Sequence, residues 1–307
     1  SKSSSTSISW TPPISLANQN TTGTSVSITL TITTYSGNTR VGSNTKTISC
    51  SIPASVKPTL TVDVTDPNGY ADMYGAFVRG LSKFKIVITP TLAYGSAIKT
   101  YKTTANGGTY TSASFTTGIL NSSGTLNVVS TITDNRGRSN SKTVSIPVLN
   151  YNAPSISKLD VHRCEENGAL NDRGEYVQVT FSATVTNLSN SNTASYKLRY
   201  KASADSDYTE TIFTALSNEY VVNNYSFIFA ADSGSSYDIE LSVTDNHNTS
   251  YRTTTASTGF TLMHWNAAGN GMGIGKMSEL ENVLDIGLKT RFEGGILQPV
   301  LEAETDL

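Results

Sequence analysis

Few stretches of this sequence carry residue types whose spacing could do chemistry. The most suggestive is Gly271-Met272-Gly273-Ile274-Gly275-Lys276. A phosphate loop needs G-x-x-x-x-G-K-[ST], so that backbone amides wrap the phosphates and a hydroxyl holds the metal. Here the glycines are one residue too close, and Met277 stands where Ser or Thr is required. A dinucleotide fingerprint would open a long helix inside a βαβ unit, and no such pattern surrounds it. The stretch reads as a glycine-rich β-turn segment that lets strands or whole chains approach closely.

Acidic residues give two further candidates. Asp63, Asp66 and Asp72 surround Asp66-Pro67-Asn68-Gly69. An EF-hand with Gly69 at its sixth position would place Val64 first and Gly75 twelfth, which fails. A solvated turn is the expected structure, with a calcium site of another kind left open. Glu165 and Glu166 are adjacent, and neighbouring strand residues point to opposite faces, so they make no acid–base pair. His162, His247 and His264 are far apart in sequence, and none is paired with a nucleophile motif. No G-x-S-x-G or H-E-x-x-H is present. Asp134 and Asp245 each follow an apolar strand and precede a turn, where a carboxylate accepts hydrogen bonds from turn amides. The sequence therefore predicts no catalytic residue, no cofactor and no metal.

The elements that would position these residues are strands. Val26, Ile28, Leu30 and Ile32 alternate with Ser27, Thr29, Thr31 and Thr33. Val177, Val179, Phe181, Ala183 and Val185 alternate with polar residues in the same way. A period of two buries one face and shows the other to water. The pair of strands predicted over 128–148 returns near 239–262, and Asp134 and Asp245 lie 111 residues apart (245 − 134). That step suits one β-sandwich of ~100 residues used repeatedly. Pro53 and Pro58, and later Pro147 and Pro154, interrupt sheet pairing and mark junctions.

The expected architecture is therefore all-β: tandem immunoglobulin-like β-sandwiches in a row, followed by a Gly-rich C-terminal oligomerisation segment. The boundaries are 1–56 for a first module, short for a sandwich; 57–153 for a second; 154–262 for a third; and 263–307 for the C-terminal segment. Short proline-containing linkers make such a row a semi-rigid rod. Trp265, Met272 and Ile274 are the candidate subunit contacts, because a lone chain would leave them exposed.

Composition sets the outer limits. The 307 residues carry a net charge of −2 and only 15% charged residues, so their field gives no reason to expect nucleic acid as a partner. The hydrophobic share is 37%, with Ser and Thr supplying the solvent faces of thin sheets. No apolar run reaches the ~18 residues of a membrane span, so no membrane insertion is expected. Cys50 and Cys164 fall in different modules and are expected to stay unpaired. The chain opens without Met, which leaves a removed leading segment or a longer parent protein open. Fifteen tyrosines include Tyr94, Tyr101 and Tyr110, and Tyr196, Tyr200 and Tyr208. Either set could line a glycan-stacking face, and either could be sheet packing with hydroxyls at the rim.

Several stretches resemble the repeated modules of minor structural tail proteins of long-tailed bacteriophages of Gram-positive hosts. They are KPTLTVDV, GLSKFKIVITPTLAYGSAIKTYKTTANGGTY, STITDNRGRSNSKTVSIPVLNYNAP and HRCEENGALNDRGEYVQV. The C-terminal GMGIGKMSELENVLDIGL is similar to a segment common in such tail proteins. The resemblance implies a non-enzymatic virion component at the tail tip, baseplate or fibre. It would assemble in the host cytoplasm as a homotrimer beside other tail proteins. The alternative is an adhesin module that recognises host cell-wall polysaccharide.

Overall fold

The computed structural model describes residues 9–259, 262–266, 269–275, 278 and 281–286. It is nearly all β, in several sheets. The chain divides into two compact units between Tyr151 and Asn152.

The first unit starts with a 3-10 turn, Ile14–Gln19, and a long hairpin of β1 (Ser25–Ser36) and β2 (Thr39–Ser51). Gly37 sits in the tight turn at φ 61°, a backbone conformation that glycine adopts without steric cost. Hydroxyls face each other across one side, with Thr29 and Thr47 at 3.2 Å. Val26 packs at the base with Ala17, Ile52 and Val56, while Ile32 further out is 67% exposed. Residues 1–56 were expected to give a first immunoglobulin-like module. Their described part forms this turn and hairpin, without a second sheet. The physical reason is simple: residues 9–24 hold no alternating apolar run from which another layer could be built.

The second module follows with β3 (Thr59–Thr65), the short helix α1 (Tyr70–Tyr74), β4 (Phe77–Val78), β5 (Lys83–Thr91), β6 (Ile98–Ala105), β7 (Gly108–Tyr110), β8 (Ser114–Ile119), β9 (Gly124–Asp134) and β10 (Ser139–Leu149). Strands β3, β5 and β8 make one sheet, and β4, β10, β9, β6 and β7 the other. The inward residues of each strand meet in one core. Val62, Phe84, Ile86 and Ile88 come from the first sheet, and Ala105, Val128, Ile132, Ile146 and Val148 from the second. Thr103 and Ser130 are buried between them and satisfy each other at 3.0 Å.

The β9–β10 turn fastens this module to the preceding hairpin. Arg136 donates to the carbonyls of Ala17 (2.9 Å), Asn20 (3.2 Å), Ala93 (2.8 Å) and Tyr94 (2.6 Å). Arg138 donates to the carbonyls of Ile52 (2.5 Å), Pro53 and Val56 (2.7 Å). Hydrogen bonds from a charged donor are worth about 1.5–3 kcal/mol each, so two guanidiniums hold the hairpin base firmly.

The second unit repeats the plan with β11 (Ser155–Cys164), β12 (Tyr176–Thr184), β13 (Ser195–Ala202), β14 (Thr209–Ile212), β15 (Val221–Ala230), β16 (Tyr237–Thr244) and β17 (Thr249–Ala256). Its sheets are β11-β12-β15 and β14-β13-β16-β17. The alternating run at Val177–Ala183 forms β12, with Val177, Val179, Phe181 and Ala183 all 0% exposed. Phe181 sits among the rings of Tyr196, Phe213 and Tyr225, at centroid distances of 6.2, 5.6 and 5.5 Å. Beyond it lie three short strands, β18 (Met263–Trp265), β19 (Met272–Ile274) and β20 (Leu284–Ile286).

Phe181 touches both sheets of its module, and truncating it leaves a cavity that neither can close. Phe181→Ala is expected to cost about 3–5 kcal/mol in urea unfolding of the second unit. Val221→Ala, at a position 60% exposed, is expected to stay within about 0.5 kcal/mol.

Candidate subunit-contact site

The residues singled out for chemistry are spread over the molecule and tied into turns. Asp66 accepts from the amides of Asn68 (3.1 Å) and Lys83 (3.2 Å) through Oδ1, and from Ala71 (3.1 Å) through Oδ2. That is a loop-fastening role. Asp134 accepts from the Arg138 amide at 2.9 Å, and Asp245 from the amides of His247 and Asn248, both at 2.7 Å. The two equivalent carboxylates therefore hold equivalent turns. Glu165 is hydrogen-bonded by the side-chain amide of Asn171. His162 lies on β11, His247 in the β16–β17 turn, and His264 on β18. Among the described residues no group of three or more His, Cys, Asp or Glu side chains is placed to hold a metal ion. Cys50 and Cys164 are both free thiols.

The glycine-rich stretch is strand and turn. Asn266 shapes the loop between β18 and β19: its Oδ1 accepts from the amides of Asn270 (3.0 Å) and Gly271 (3.1 Å). Gly269 turns the chain there at φ 73°, which a side chain would strain. Lys276 lies outside the described residues.

The three candidate contacts meet in this small sheet. Strand β19 is central, antiparallel to β18 and parallel to β20. Trp265 pairs with Met272, which pairs with Leu284; Met263 pairs with Ile274, which pairs with Ile286. The alternation of strand side chains puts all six on one face. The intervening row, His264, Gly273 and Asp285, belongs to the other face. Trp265 is 59% exposed, Met263 56% and Leu284 55%. Full burial of one such side chain is worth about 1.5–3 kcal/mol, so a three-stranded apolar face has much to gain from a cover. The sequence pointed to Trp265, Met272 and Ile274 and missed Met263, Leu284 and Ile286. Strands of three residues are too short to show a period of two, and only their pairing to β19 reveals the shared face.

A family described as "Siphovirus protein of unknown function (DUF859)" matches residues 1–290. The chain belongs to this siphovirus protein family. Among curated proteins there is no match. Solved structures similar to the siphovirus protein include a crystal structure of chicken CNTN1 FN1-FN3 domains. It is 15% identical, with a TM-score of 0.26 over 64% of this chain and 66% of that one, just under two thirds. So slight a likeness carries nothing about fold or function, and the fold rests on the strand pairing above.

The siphovirus protein does not gather its tyrosines into one platform. Tyr196 is 1% exposed, and its hydroxyl donates to the Glu219 carbonyl at 2.6 Å. Tyr200 stacks on Phe229 at 3.7 Å, and Tyr110 on Phe115 at 4.1 Å. Tyr101 packs against the second module's core, and Tyr94 against the hairpin base. Tyr208 remains at the surface under Arg199, 4.7 Å from its ring centre.

Burial, with a smaller push from Glu219, raises the Tyr196 phenol to about 12. The folded state therefore holds this proton more tightly than the unfolded state, whose tyrosines titrate near ~10. Its contribution to stability is complete below about pH 10 and is lost as pH rises through 12. A separation of that size is worth on the order of 3 kcal/mol. Unfolding free energies measured from pH 9 to 12 are expected to fall in this window, and Tyr196→Phe to flatten that part of the profile.

Proposed function

We propose that this siphovirus protein is a structural component of the phage tail, at the tip, baseplate or fibre. It acts as a non-enzymatic spacer that positions host-contacting parts. Its two full modules, each a three-stranded sheet packed on a larger one, are read as tandem immunoglobulin-like sandwiches. The observation that carries the proposal is the apolar face of β18–β19–β20, six side chains in register of which Met263, Trp265 and Leu284 are exposed, in a chain whose acidic turn residues are occupied in holding loops. Such a face does no chemistry and gains by self-association.

The partner of that face is a second and third copy of the same chain. A narrow three-stranded strip directed at an axis closes a ring when the rotation between copies is one third of a turn. A homotrimer of this kind suits a virion part assembled in the host cytoplasm and joined there to other tail proteins. A wall-polysaccharide adhesin finds less support, because five of the six candidate tyrosines are committed to packing.

Light scattering on the full chain at micromolar concentration is expected to give three times the 32.7 kDa chain mass. Trp265→Asp combined with Leu284→Asp is expected to return the monomer mass with the far-UV circular dichroism unchanged. A monomer mass for the unsubstituted chain contradicts the trimer. Antibody labelling confined to the capsid of intact particles contradicts the tail assignment.

A further inference from the structure

Two hairpins of the first unit are built to one pattern, and among the described residues only one of them is covered. Residues 31–34 are Thr-Ile-Thr-Thr, and residues 131–134 are Thr-Ile-Thr-Asp. Residues 44–48 are Asn-Thr-Lys-Thr-Ile, and residues 140–144 are Asn-Ser-Lys-Thr-Val. The pairing registers agree as well. Ile32 pairs with Asn44, as Ile132 pairs with Asn140; Ile28 pairs with Ile48, as Val128 pairs with Val144. A cross-strand hydroxyl contact recurs at the same place, Thr33 with Ser43 at 3.4 Å and Thr133 with Ser139 at 2.7 Å. Both return strands run into Ile-Pro, at Ile52-Pro53 and Ile146-Pro147.

Their surroundings differ sharply. Val128 and Ile132 are 0% exposed, sharing a core with Phe84, Ile86 and Val62 of the β3–β5–β8 sheet. Ile32, the counterpart of Ile132, is 67% exposed, and Leu30 is 38% exposed. The bare strip continues into an apolar depression at the hairpin base, lined by Pro13, Ile14, Leu16, Val26 and Cys50. An isolated two-stranded hairpin is marginal in water. This one is held at its base by Arg136 and Arg138, so the uncovered face stands preformed.

Order along the chain says what the cover is. In both full modules the three-stranded sheet precedes the hairpin it covers: β3, β5 and β8 come before β9–β10, and β11, β12 and β15 before β16–β17. Charge argues against a second copy of the hairpin as the cover. Residues 1–62 contain Lys2, Arg40, Lys46 and Lys57 and no Asp or Glu, so two such faces would bring only like charges together. We infer that β1–β2 is the closing hairpin of a further two-sheet module. Its bare face receives a three-stranded antiparallel sheet of alternating aliphatic residues, on the N-terminal side of the hairpin, with carboxylates toward Arg40 and Lys46.

The test joins a copy of residues 57–123, the second module without its closing hairpin, ahead of Ser1 by a flexible linker. The host is the full chain carrying Trp265→Asp. Amides around Leu30 and Ile32 are expected to exchange with deuterium about tenfold more slowly in the fusion, and Ile32→Asp to abolish the gain. Ile32 is exposed, so the substitution leaves the unfused chain folded. Unchanged exchange in the fusion overturns the inference. So does an unfused chain whose same amides are protected by an association that Ile32→Asp dissolves, because a second copy would then be the cover.

Discussion

The sheets of the two full modules each have an aliphatic face and a polar face, and the aliphatic face has to be covered. Everything else in the structure follows from how that is met. Burying one Val, Ile or Phe side chain is worth about 1.5–3 kcal/mol, whereas a cross-strand hydroxyl pair such as Thr131 with Ser141 is worth about 0.2–1 kcal/mol. The aliphatic rows therefore decide which sheets meet, and the hydroxyl rows only align strands already placed. Where two sheets face each other a complete module forms, as with Phe84 and Ile132 in one unit and Phe181 and Leu241 in the other. Where a sheet has no partner among the described residues, at β1–β2 and at β18–β20, the same rule marks a surface that asks for one.

Buried polar groups complete the modules by fastening loops. Arg163 in the second unit donates to the carbonyls of Ser257 (3.0 Å), Ala231 (2.9 Å) and Ser235, and its guanidinium lies 5.6 Å from the Tyr237 ring centre. Burial pushes its pKa down, opposed by the charges of Tyr237, Glu175 and Asp232. Arg136 plays a comparable part in the first unit. A buried cation that lost these acceptors would be strongly destabilising, so the loops that offer them are fixed. Gly174 lies in the same neighbourhood: a Cβ there would come within 2.0 Å of the Cys164 carbonyl oxygen.

The strands were largely legible because alternation is a local signal. Val177–Ala183 and Val26–Ile32 could be read directly, and so could the turn-holding role of Asp134 and Asp245. What escaped reading depends on distant residues. Nothing near Arg136 or Arg138 announces that their acceptors lie as far back as Ala17 and Ile52. Tyr196 and Tyr208 look alike in sequence, yet one is core and the other surface, because β13 turns Tyr196 inward. Residues 1–56 carry the sandwich pattern on two strands only, and a pattern cannot show whether its covering layer is present. The apolar face of the small sheet was legible through Trp265 on β18 and through Met272 and Ile274 on β19, while Met263, Leu284 and Ile286 required the pairing itself.

The central proposal is that the partly exposed apolar face of β18–β20 is covered by other copies of the chain. Amide exchange at Met263–Trp265, Met272–Ile274 and Leu284–Ile286, followed over a hundredfold dilution series, addresses it most directly. Slow exchange at high concentration that is lost on dilution, while Val179 and Leu241 stay protected throughout, is the predicted result. Exchange at these strands that is rapid at every concentration, or protected to the same degree at every concentration, would contradict it.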